Sequence, residues 1–173
     1  MTSLKRYLLR SGMIVFAVAI ATLFAFTATA SASATNVHRA LVQETPVGTW
    51  NATVSFVHGS AQGQQESATQ TFAADGTLSE KASGIAGTGP VSGTGTWNST
   101  SDATFHYTFN EPMYDSNGNE TGYVHVVQDA VLLAHGTSYV SEGTGIFTLP
   151  DGTPVPSTLN YTVTYATLVS GRS

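Results

Sequence analysis

His125 and Asp129 are the ionisable side chains whose spacing best suits acid–base chemistry. Within residues 121–134 they share a phase with Tyr123, Val127, Val131 and Leu133, so an extended chain puts these side chains on one face. If that face is enclosed, a desolvated imidazole or carboxyl has a shifted pKa and can act as acid or base. These two are therefore the catalytic candidates. The competing reading makes His125 a hydrogen-bonded wall residue and leaves Asp129 in solvent near a rim. His106 is out of phase with Phe105, Tyr107 and Phe109, which assigns it to the surface.

Other chemistries find less support. The histidines, His38, His58, His106, His125 and His135, include no i, i+2 or i, i+4 pair to chelate a metal, and no metal site is expected. Asp115, Asn117 and Asn119 have the spacing that opens a calcium loop, but the sixth-position Gly and the closing Glu are missing, so a turn is expected. Without cysteine, neither a thiolate nucleophile nor a thiolate metal site is possible. P-loop, dinucleotide, H-E-x-x-H and G-x-S-x-G motifs are absent as well, and no cofactor is implied.

The aromatic residues make a second candidate site. Trp50, Phe56, Trp97, Phe105, Tyr107, Phe109, Tyr123, Tyr161 and Tyr165 fall largely on single faces of their strands. A pocket walled by Trp50, Phe56, Tyr107, Tyr123, Tyr161 and Tyr165, with His125 as its ionisable group, suits a small apolar or aromatic ligand. The alternative is that the same rings fill a packed core.

Strands must position all of these groups, because no sustained helical period appears. The period is two: Trp50, Ala52, Val54 and Phe56 alternate with Asn51, Thr53 and Ser55. Strands are expected near residues 49–57, 64–73, 77–83, 94–98, 103–111, 121–134, 138–149 and 158–169. Asp75-Gly76 and Asn117-Gly118 mark tight turns, residues 84–93 read as a glycine-rich connection, and Pro112 is expected to stop the fifth strand. Eight strands with short connections predict an antiparallel up-and-down barrel, which closes its own edges; a sandwich is the alternative.

Residues 1–34 read as a secretory signal. Lys5, Arg6 and Arg10 precede an apolar run, and Ala30-Ser31-Ala32 and Ala32-Ser33-Ala34 offer cleavage sites. An uncleaved anchor is the other reading of that run. Residues 35–47 form a short leader, and residues 48–173 form one barrel domain. After cleavage, Arg39, Lys81 and Arg172 face eleven carboxylates, a formal charge of −8. Such a surface repels phosphate backbones and anionic lipids, so neither nucleic acid nor a membrane is an expected partner.

Gly48 and Trp50, opening the first strand of a small all-β chain, give it a resemblance to the lipocalins. The tetrad Gly-Thr-Trp-Asn recurs at residues 95–98. The resemblance implies an eight-stranded barrel whose closed end is plugged by Trp50, with Arg172 packed over the indole. It further aligns Thr137, Ser138 and Tyr139 with a Thr-Asp-Tyr motif between strands six and seven, serine replacing the aspartate. Three functions follow: a secreted carrier of a small hydrophobic or aromatic molecule, a packed barrel acting through its surface, and a cofactor-free cyclase or isomerase. The export signal favours the carrier and the surface-acting barrel over the enzyme, and the carrier ranks first. Oligomeric state is not legible in the sequence.

Overall fold

The computed structural model describes residues 44–86 and 89–170. The expected signal, most of the leader and Arg172 lie outside these residues. The strands are β1 (Gly48–Gly59), β2 (Gln65–Phe72), β3 (Thr77–Ala82) and β4 (Val91–Ser99). They continue as β5 (Thr104–Tyr114), β6 (Glu120–Leu133), β7 (Ser138–Thr148) and β8 (Asn160–Ser170). Each pairs antiparallel with the next, and β1 also pairs with β8, Ala52 opposite Ala166. That last pairing closes the sheet into a barrel and sets the sandwich aside.

Local chemistry fixes the turns. At the β2–β3 turn the Asp75 carboxylate accepts the Thr77 N–H at 2.9 Å and the Thr77 hydroxyl at 2.7 Å. Gly76 beside it takes a φ of +85°, a conformation that costs glycine little. Asp115 likewise accepts the N–H groups of Asn117 at 2.8 Å and Asn119 at 2.9 Å, so the calcium-like spacing builds a turn.

Two boundaries differ from expectation. β4 starts at Val91, inside the stretch read as a loop, because its glycines have a steric role in the strand. A Cβ on Gly95 would collide with the Thr108 carbonyl and the Phe109 backbone on β5. Pro112 also fails to end β5, which runs on to Tyr114. The β4 partners of β5 stop at Asn110, so Pro112 sits where one edge of the strand is unpaired and a missing N–H is tolerated.

Even-numbered residues of β1, β2, β3, β6 and β8 point inward, as do odd-numbered residues of β4, β5 and β7. One end of the interior is solid. Trp50 meets Tyr139 edge-on at 5.1 Å between centroids, and Phe72 meets Phe105 edge-on at 5.3 Å. Edge-to-face pairs of this kind add about 0.5–1.5 kcal/mol each beyond the area they bury. Both indoles find acceptors: buried Trp50 donates to the Pro46 carbonyl at 2.7 Å, and half-buried Trp97 to the Ala73 carbonyl at 2.8 Å. The repeated tetrad thus places two tryptophans in one plug.

Candidate functional site

The other end is hollow. A cavity of about 60 Å³ lies above the plug, with Phe56, Glu66, Val124 and Asn160, all partly exposed, at its mouth. Val54, Phe109 and Val126 add to its apolar wall. The same cavity is lined by three carboxyl groups, Glu66 on β2, Glu80 on β3 and Glu111 on β5, and by Gln70 and Gln128. Among the described residues, no lysine, arginine or histidine lines it. Among the described residues, no group of three or more His, Cys, Asp or Glu side chains is arranged to hold a metal ion.

A buried carboxylate without a cation is costly, so burial favours the protonated forms of these groups. Burial, reinforced by the charge of Glu111, pushes Glu66 from the ordinary 4.5 up to about 7. Glu80, only 3% exposed, is driven well above its usual range by burial and then by Glu111, with the Gln70 hydrogen bond offsetting part of the rise. Burial also raises Glu111, against a hydrogen bond from Glu80 that lowers it.

A hydrogen-bonded chain ties this cluster to the plug. Tyr139 donates its hydroxyl to Gln70 Oε1, and Gln70 Nε2 donates to Glu80 at 2.9 Å. The Tyr107 hydroxyl pairs with the Ser141 hydroxyl at 2.8 Å. Gln128 Nε2 donates to Thr162 Oγ1 at 2.7 Å, whereas Gln128 Oε1 is buried with no partner.

The residues expected to form the site separate into two groups. Trp50, Phe56 and Tyr107 point inward, Trp50 in the plug and the other two on the cavity. Tyr123, His125, Tyr161 and Tyr165 belong to the outward phase, with Tyr161 46% and Tyr165 52% exposed. Both faces of β6 are apolar, so its inward phase could not be read from composition, and it is the even one. His125 and Asp129 therefore lie outside the lumen. His125 Nδ1 pairs with Asn110 Oδ1 at 2.7 Å, and Asp129 pairs with His106 Nδ1 at 2.8 Å. Four residues of strand separate the two by about 13 Å, too far to share a proton.

Glu66, Glu80 and Glu111 were not singled out from the sequence, although the signal was there. Glu80 alternates with Leu78 and Ala82, and Glu111 continues the series Phe105, Tyr107, Phe109. Period-two phase places both inside the barrel.

Fold and site together define a closed eight-stranded antiparallel barrel, plugged at one end and hollow at the other, the architecture that the lipocalin resemblance implies. A solved structure described as EF1p2_mFAP2b bound to DFHBI is similar, with a TM-score of 0.52 and 16% identity over 75% of this chain and 94% of its own. Another, described as a redesigned beta barrel, b11L5F_LGL, has a TM-score of 0.44 and 24% identity over 77% of this chain and 92% of its own. The first likeness shows a shared fold. No family model matches the sequence, and no curated protein matches it.

Proposed function

We propose that this protein is a secreted barrel that binds a small molecule through its hollow end, seating an apolar or aromatic part against Phe56, Phe109, Val124 and Val126. One observation carries the reading: the packed aromatic plug fills only one end of the interior, leaving a walled cavity that reaches solvent. A barrel whose only task was to be solid would extend the plug to both ends. The cavity's size favours a compact ligand over a long lipid chain. Export follows from the amino-terminal pattern, and the acidic balance argues against nucleic acid and anionic membranes as partners.

Binding of benzyl alcohol, followed by saturation-transfer NMR, tests the proposal. Val126→Trp fills the cavity and should abolish binding, while Val127→Trp, on the outer face, should leave it intact. Equal behaviour of the two variants would overturn the assignment of the lumen as the binding site.

A further inference from the structure

The polar groups of the cavity are mismatched in a way that specifies what is missing. Each amide nitrogen on the wall has a protein acceptor: Gln70 gives to Glu80, Gln128 to Thr162, and Asn160 to the Thr158 carbonyl. The Tyr107 hydroxyl is paired with Ser141. What remains over is acceptor capacity. Among the described residues, Gln128 Oε1 has no donor although the residue is 2% exposed, and three carboxyl groups converge with no basic side chain among them. Leaving a buried acceptor unpaired is costly, so such a group is the exception that needs a reason.

We propose that the site takes a protonated amine, its ammonium group donating to Gln128 Oε1 and to carboxylates of Glu66, Glu80 and Glu111. An ammonium group brings three N–H donors, no acceptor and a positive charge, which is the complement of this wall. Its apolar substituent would lie on the hydrophobic half of the same cavity. The inference rests on the small-molecule reading above and narrows it to a ligand class. An anionic or acceptor-rich ligand is disfavoured, because it would add to the surplus already present.

Binding must then be coupled to proton release. An ammonium among the carboxyl groups favours their ionised forms, so loading expels protons from the cluster. Titratable groups facing that position come from β2 (Glu66), β3 (Glu80) and β5 (Tyr107 and Glu111). The cavity linings of β1, β6, β7 and β8 contribute none. Affinity for an amine should therefore rise with pH through the range in which Glu66 ionises.

Calorimetric titration of the full chain with benzylammonium chloride and with benzyl alcohol, near-isosteres differing in charge, separates the possibilities. At about pH 8, benzylammonium should bind about tenfold or more tightly than the alcohol, and by about pH 5.5 the difference should shrink. Heats in buffers of different ionisation enthalpy should report protons released with the amine and none with the alcohol. Glu66→Gln and Glu111→Gln, which keep the side-chain shape, should each weaken benzylammonium about fivefold or more and change the alcohol by less than about twofold. Equal affinities for the two compounds, or amine binding that ignores both variants, would overturn the cation assignment while leaving a small-molecule site. If neither compound binds, the small-molecule reading fails with it.

Discussion

Gln70 and Glu80 face each other across the β2–β3 pair, joined by a 2.9 Å hydrogen bond that links the plug to the acidic cavity. Gln70 also accepts the Tyr139 hydroxyl, so one amide ties a core tyrosine to a buried acid. The carboxyl of Glu80 has two functions there, accepting from Gln70 and donating to Glu111.

Glu80→Gln preserves both bonds, since an amide offers one acceptor and two donors. That variant should unfold near the wild-type temperature at about pH 5 and above it at about pH 8, where the acid would otherwise be driven to ionise. Glu80→Ala strands the Gln70 amide and should cost about 1–3 kcal/mol by denaturant titration.

The pH dependence of stability has a definite sign. Glu66 has a higher pKa folded than unfolded, so its contribution is complete below 4.5 and is lost as pH rises to about 7. Glu80 and Glu111 act in the same direction. Asp75, Asp115 and Asp151 are lowered by hydrogen bonds in their turns, so their contribution is lost as pH falls below 3.8. Scanning calorimetry should therefore find the highest melting temperature in mildly acidic solution and a decline towards pH 8.

Trp50 is fully buried, touches Tyr139 and donates to Pro46. Trp50→Ala should cost about 3–5 kcal/mol, against little for the outward Thr53→Ala. Trp50→Phe keeps most of the ring contact but leaves the Pro46 carbonyl without its donor, and should fall between them. Urea midpoints of the three variants check this order.

Two inward glycines should respond in opposite ways to the same added methyl. On Gly95 a Cβ would strike the β5 backbone, and Gly95→Ala should destabilise by about 1–3 kcal/mol or more. A Cβ on Gly145 would sit 3.5 Å from Val124 and 3.7 Å from Val126, in ordinary contact. Gly145→Ala should be neutral to stabilising by up to about 1 kcal/mol, because the unfolded chain loses freedom, and should narrow the cavity. Thermal melts of the pair, with ligand titration of the second, decide it.

Strands and closure were legible because alternation survives wherever one face is apolar and the other polar, as in Trp50 to Phe56. β6 shows where legibility ends. Valines and leucines occupy both of its faces, and only the register with β5, Phe109 opposite Val126, sets the inward phase. The polar half of the lumen was hidden for a different reason. A glutamate is an outward residue by default, and the phase of Leu78 and Ala82 around Glu80 has to outweigh that default before the acid is placed inside. Gly93 misled in the opposite sense, looking like part of a loop where the barrel wall needs a residue without a side chain.

Thr49 at the start of β1 pairs with Ser170 at the end of β8. The start of β1 and the end of β8 thus lie side by side at the plugged end, whereas Phe56 at the mouth lies about 23 Å further along β1. A tether or tag attached at either flank, the start of β1 or the end of β8, would be joined at the plugged end, away from the opening. Immobilised by a flank, the protein would stand with its opening towards the solution, an orientation suited to a surface-mounted sensor.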